Sequence, residues 1–254
     1  MSYDVTRADI CATACADAFR GDGEILASPM GLVPALGARL AKSTFEPDLL
    51  LTDGIASVRA DIPPLGNSST EPVIESWMPY RTVFDVVASG RRHVMMGATQ
   101  VDQYGNQNIA CIGDWHRPKA QLLGVRGAPG NTINHTTSYW VPRHTTRVMT
   151  AKVDMVSGVG YDSIQELPEA SRRFHSIRCV VTNLGVFDFE TPDNRMRLRS
   201  LHPGVPLDEV VTNTGFTLVI PDSVPQTRTP TAEEMTLLRE VLDPAGLAQK
   251  EVPA

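Results

Sequence analysis

No apolar run in the sequence approaches the roughly 20 residues that a membrane-spanning helix needs, so no span is expected. Basic residues are the scarcer charge. Only 23 Lys and Arg stand against 29 Asp and Glu, giving a net charge of −6, and no Lys/Arg cluster is present to track a phosphate backbone. Nucleic acid is therefore not an expected partner. Cysteine is rare: Cys11, Cys15, Cys111 and Cys179 form no C-x-x-C pair and lie within apolar patterns, which predicts reduced, buried thiols rather than a disulfide framework or a zinc site. His93, His116, His144, His175 and His202 have no ligand-like spacing, so no metal is expected. The opening MSYDVTRAD lacks the basic and apolar regions of a signal peptide, and the expected location is the cytoplasm. No internal repeat or low-complexity tract interrupts the chain.

What is present alternates between helical and extended patterns. Thr6 with Asp9 signals a helix start, and Ile10, Cys11, Ala14, Cys15, Ala18 and Phe19 repeat at helical spacing until Gly21. A short strand is predicted at Glu24–Ala27, a small-residue helix at Leu32–Lys42 and an apolar strand at Asp48–Thr52, an order that implies a βαβ crossover and a parallel sheet. The Pro-, Ser- and Asn-rich stretch Asp61–Pro79 reads as a long loop, and Val83–Ala88 as a short helix. Two apolar runs then flank Tyr104-Gly105-Asn106, the signature of a tight hairpin. Leu122–Asn134 is glycine-rich and reads as irregular. Further strands are predicted at Arg147–Val153, Ile177–Asn183, Val186–Phe189, Met196–Leu201 and Phe216–Ile220, with a helix at Leu207–Thr212. The last helix, near 231–242, begins on a capping box from Thr231 to Glu234 and is expected to be peripheral to a single 254-residue α/β domain. Glu233 and Glu234 need only that helix start to explain them.

The richest chemical signal is GVRGAPGNTINH, Gly124–His135. Three glycines within seven residues let backbone N–H groups converge, as an oxyanion hole requires. An ordinary surface loop is the alternative.

Three segments, GATQVDQYGNQN, GVRGAPGN and VVTNLGVFDFE followed by LHPGVPLDEVVTNTGF, stand in an order that resembles the β subunits of family I CoA transferases. The likeness runs from about residue 5 to residue 220 and is greatest to the glutaconate CoA-transferase-like branch. Within that branch the chain is similar to the β subunits of CoA-dependent hydrolases that open the last steroid ring in cholesterol catabolism. The resemblance implies an open, largely parallel α/β sheet with flanking helices, the CoA-transferase (NagB/RpiA-like) fold. It also implies a coenzyme A thioester as substrate, no permanently bound cofactor, and an α subunit of similar fold in an α2β2 heterotetramer.

Two departures from the family pattern are informative. Transferases of this family carry Ser-Glu-Asn-Gly after the strand matching Leu49–Leu51, and the glutamate attacks the thioester. Here the residues are Leu51-Thr52-Asp53-Gly54, with Thr52 in the glutamate position. A threonine hydroxyl forms no acyl anhydride, and no histidine adjoins it to activate it. Asp53 is one methylene shorter than glutamate, and alternation along an extended segment points it away from where Thr52 points. Ordinary CoA transfer is therefore not expected. In the second departure, Arg126 replaces a glycine of the family loop Gly-x-Gly-Gly-Ala, adding a fixed cation suited to an enolate-like oxygen or a carboxylate. A salt bridge to a partner subunit is the competing reading.

The resemblance and these departures lead to a hydrolase subunit in which Arg126 and the N–H groups of Gly127 and Ala128 stabilise an oxyanion, with a carboxylate base on the α subunit. Thr52, Asp53, Gln100, Asn131 and Asn134 are the expected substrate contacts, although Gln100, Asp102, Asn131, Asn134 and His135 have structural readings too. Tyr139 and Trp140 would wall a pocket or lie at a subunit interface. A CoA transferase or thioesterase with its nucleophile elsewhere, and a non-catalytic scaffold, are the alternatives.

Overall fold

The computed structural model describes residues 3–54, 56–66 and 71–252. They divide into two compact units, Met1–Met96 with Arg228–Ala254, and Gly97–Thr227.

In the first unit, α1 (Arg7–Asp17) starts as its sequence dictates. The Thr6 side chain accepts from the Asp9 N–H while the Asp9 carboxylate accepts from the Thr6 N–H at 2.8 Å. Next come β1 (Leu26–Pro29), α2 (Leu32–Ser43), β2 (Leu51–Thr52), β3 (Ser57–Arg59), β4 (Ile74–Trp77), α3 (Tyr80–Ala88) and β5 (Arg92–Gly97). Helices α1 and α2 approach so closely that a Cβ on Gly37 would lie 2.6 Å from the Cys15 Cβ, which explains the small residues of α2. β1 pairs in parallel with β5, and Leu26 forms a parallel bridge to Leu50, as the predicted crossover requires. β2, β3 and β4 form an antiparallel sheet. Leu26, Val58 and Met78 make a small core on which Val83 and Val86 of α3 rest. The C-terminal helix, Ala232–Thr236 continuing as a π-helix over Leu237–Leu242, buries Met235, Leu238 and Leu242. It is tied to α1 by Arg239–Asp9 at 2.6 Å, and the Arg228 guanidinium just before it bridges Asp17 and Glu234.

The second unit begins with a hairpin of β6 (Gln100–Val101) and β7 (Gln107–Asn108), followed by β8 (Cys111–Ile112) paired with β9 (Ala120–Gln121). At the first turn Gly105 has φ +81°, the positive value that its sequence position calls for. Next come α4 (Ala128–Asn134), β10 (Thr136–Val141), β11 (Ser176–Thr182), β12 (Gly185–Asp188), β13 (Arg197–Leu201) and α5 (Leu207–Thr212). β10 and β11 run parallel, and β12 and β13 add antiparallel. All four cysteines are buried thiols outside any disulfide.

Several expectations are corrected. The first strand starts at Leu26, two residues later than its sequence suggests, and the apolar run Asp48–Thr52 is strand only at its end. Asp61–Pro79 is not all loop, because β4 occupies Ile74–Trp77; its residues 67–70 lie outside the described residues. Leu122–Asn134 is helical: a 3-10 turn over Gly124–Arg126 leads into α4, whose first turn holds Pro129, a residue preset for a helix start. Arg147–Val153 and Phe216–Ile220 each make one bridge only. Thr145–Met149 is a tight turn, and Pro221 cannot extend a ladder. Tyr139 and Trp140, expected to wall a pocket or lie at a subunit interface, are buried inside this chain and do not reach its surface. They belong to β10, which the sequence reading missed, and are 0% and 1% exposed.

Candidate functional site

The first unit encloses a cavity of about 790 Å³ bounded by the ends of β1 and β2, by α2 and by α3. Thr52, Asp53 and Gly54 line it, so the strand end that the family pattern marks is indeed concave and open to a ligand. The turn itself is locally satisfied. The Thr52 hydroxyl accepts from the Gly54 N–H at 3.1 Å, and the Asp53 carboxylate accepts from the Ala56 and Ser57 N–H groups at 3.0 and 3.1 Å. Asp53 is thereby a turn-stabilising residue, held by donors that disfavour its attack on an acyl group.

Three arginines also line this cavity. Arg59 is doubly bonded to Asp61, which raises the guanidinium and holds the Asp61 carboxyl below its ordinary range. Arg92 donates through Nε to Ser28 Oγ at 2.8 Å, and burial lowers its pKa. Arg39 donates to the Pro63 and Ala35 carbonyls at 2.8 and 3.1 Å; burial and the nearby Arg59 charge lower its pKa. Among the described residues Arg39 has no carboxylate partner. The sequence reading singled out none of Ser28, Arg39 or Arg92. The available signal was a lone arginine within the otherwise small and apolar first three turns of α2.

The second unit gathers Arg126, Gly127, Ala128, Asn131 and Asn134 on one segment. Arg126 closes the 3-10 turn, is exposed, and makes no hydrogen bond or ion pair among the described residues. The turn is tightly seated, since a Cβ on Gly124 would lie 2.2 Å from the Ile109 side chain. The Gly127 N–H donates to the Gly124 carbonyl and is therefore already used, whereas space beside Gly127 is open and Ala128 begins the helix. Asn134 donates to the Gly130 carbonyl of its own helix at 2.9 Å. Asn131 is buried and its main chain is engaged at both ends, by the Gly127 carbonyl and the Thr137 hydroxyl.

Gln100 sits in the hairpin with its carbonyl saturated by Asn108 Nδ2 at 2.6 Å and the Asp154 N–H at 2.9 Å, a structural role. Asp102 accepts from the Tyr104 and Asn106 N–H groups across the turn. Burial pushes it up to about 6 despite those bonds. His135 is fully buried. Among the described residues no group of three or more His, Cys, Asp or Glu side chains is placed to hold a metal ion, and no helix is long and apolar enough to cross a membrane.

The chain belongs to the Coenzyme A transferase family, whose model matches residues 12–213. It is 58% identical over 250 residues to the cholesterol ring-cleaving hydrolase IpdB subunit of Rhodococcus jostii RHA1, covering 98% of this chain and 97% of that protein. It is 53% identical over 247 residues to the protein of the same name from Mycobacterium tuberculosis H37Rv, covering 97% and 98%. The crystal structure of Rhodococcus jostii RHA1 IpdAB superimposes with a TM-score of 0.93 at 57% identity, over 99% of this chain and 100% of that one. The expected open α/β CoA-transferase fold is thus the fold observed.

Proposed function

We propose that this chain is the β-type subunit of a cytoplasmic hydrolase that opens a keto-substituted carbocycle carried as a coenzyme A thioester in cholesterol breakdown. Its expected partner is an α-type chain of similar fold, in an α2β2 assembly. The observation that carries the proposal is 58% identity over 98% of the chain to a subunit named for cholesterol ring cleavage. The chemistry of the β2 end agrees with it. With Thr52 where the transferase glutamate would stand and Asp53 engaged in its turn, the β2 end is not arranged to form an acyl anhydride.

Ring opening needs no covalent intermediate. A base on the partner removes a proton from water, which attacks the ring ketone. The carbon–carbon bond to the carbon bearing the thioester then breaks, and the departing electron pair is delocalised as a thioester enolate that takes up a proton. Arg126 suits the developing oxyanion as an exposed cation with no partner among the described residues. Ala128, at the start of α4, would supply an amide, whereas Gly127 would first have to give up its bond to Gly124. Incubating the co-expressed complex with cyclic keto acyl-CoA thioesters tests the reading by mass spectrometry. A product equal to substrate plus one water with the thioester intact is expected, and unopened rings from an intact complex would refute it.

A further inference from the structure

We propose that Ser157 and Asn108 are positioning residues for Arg126, acting through Ile109 and the turn that Arg126 closes. The proposal rests on the oxyanion role given to Arg126 above. The Arg126 side chain has no partner among the described residues, so the backbone beneath it sets where its guanidinium can reach. That backbone is seated on Ile109. The Gly124 N–H donates to the Ile109 carbonyl at 2.9 Å, and the Gly127 N–H closes the turn on the Gly124 carbonyl. Gly124 also lies against the Ile109 side chain, where a Cβ would come within 2.2 Å. The Leu122 N–H donates to the Ala110 carbonyl at 2.7 Å, so the approach to the turn is held by the same short segment.

Two buried polar side chains fix that segment in turn. The Ser157 hydroxyl accepts from the Ile109 N–H at 2.9 Å and donates to the Gln107 carbonyl at 3.0 Å. Asn108 uses both amide hydrogens, on Gln100 Oε1 at 2.6 Å and the Cys111 carbonyl at 2.7 Å, while its oxygen accepts from the Ala110 and Cys111 N–H groups at 2.9 and 3.3 Å. Ile109 is therefore clamped by Ser157 within a loop that Asn108 closes, and a buried, fully bonded network of this kind favours one arrangement. Both side chains are engaged inside the chain, so they reach the reaction only by way of the turn. A displacement of about 1 Å at a reacting centre can cost about a hundredfold in rate.

A double-mutant cycle on the co-expressed complex separates positioning from simple support of the fold. Four complexes are compared for ring opening of a cyclic keto acyl-CoA: unsubstituted, Ser157→Ala, Arg126→Ala and the double variant, each checked for assembly by native mass spectrometry. Ser157→Ala is expected to lower kcat about tenfold to a hundredfold and to leave KM within about twofold, because an interaction made in the transition state is lost. In the Arg126→Ala background the same substitution is expected to cost less than about twofold, since nothing remains for Ser157 to position. Ser157→Cys, which keeps a weaker acceptor, should lose less than Ser157→Ala and serves in the cycle if the alanine variant fails to assemble; Asn108→Asp, which keeps the acceptor and loses both donors, should repeat the pattern. An equal loss in both backgrounds, or an unchanged kcat in Ser157→Ala, would overturn the positioning role. Failure of both Ser157 variants to assemble would make it a folding residue and overturn the role as well. Arg126→Ala at full activity would overturn the oxyanion reading together with the inference, whereas an impaired Arg126→Ala with additive losses overturns the inference alone.

Discussion

Asp53 stands beside the position of the transferase glutamate, and its carboxylate accepts from the N–H groups of Ala56 and Ser57, which suits it to holding the turn rather than to attacking an acyl group. Treatment of the complex with hydroxylamine or borohydride in the presence of acyl-CoA should therefore label no residue of this chain. A modified Asp53, or any labelled carboxylate here, would restore a transferase or thioesterase mechanism. Arg126 makes the opposite prediction. Because Arg126 is exposed and has no partner among the described residues, Arg126→Ala should leave stability within about 0.5 kcal/mol, as for surface changes generally. It should cost about 2–4 kcal/mol of transition-state stabilisation, typical of one lost oxyanion donor, read from kcat/KM. An unchanged kcat would favour a scaffold role for this subunit. The exceptional position of Thr52 and Arg126 was legible in the sequence because each breaks a family pattern. Arg39 was not, since a single arginine on a helix acquires meaning only when a cavity is found beside it.

Elements whose signals are local matched the sequence reading. The Thr6–Asp9 box starts α1, α2 ends one residue past its predicted limit, α5 is Leu207–Thr212, and Gly105 turns the hairpin. Elements defined by long-range burial did not. β10 is buried on both faces, so TTSYWV shows no alternation, and the glycines of Gly124–Asn134 disguise two short helical turns. The hairpin turn and the loop that follows β10 also carry opposed titrations. Burial lowers His144 from 6.5 to about 4, so its contribution is present above pH 6.5 and is lost as pH falls towards 4. Burial raises Asp102 from 3.8 to about 6, so its ionisation penalises the fold above pH 6 and that penalty is relieved on acidification. Each amounts to ~3 kcal/mol, and they nearly cancel between pH 6.5 and 4. Asp102→Asn removes the relief. Its unfolding free energy should fall about 2–3 kcal/mol further than the unsubstituted protein's over that range, and parallel denaturation curves at pH 6.5 and pH 4 would contradict this.

At the scale of the whole molecule, identity over nearly the full length of both chains makes the likeness to the ring-cleaving hydrolase subunits a statement about an entire subunit. We place the base that activates water on the partner subunit, as in the function proposed above. Native mass spectrometry of the co-expressed complex should give two copies of each chain; a stable assembly of this chain alone with full activity would refute the division of labour. In the proposed reaction water enters a ring carbon–carbon bond while the thioester survives. Turnover of a cyclic keto acyl-CoA in ¹⁸O-labelled water, followed by fragmentation of the product, locates the new oxygen. Label is expected in the newly formed carboxylate, with coenzyme A still attached. Label at the thioester carbonyl, with release of free coenzyme A and an intact ring, would contradict it.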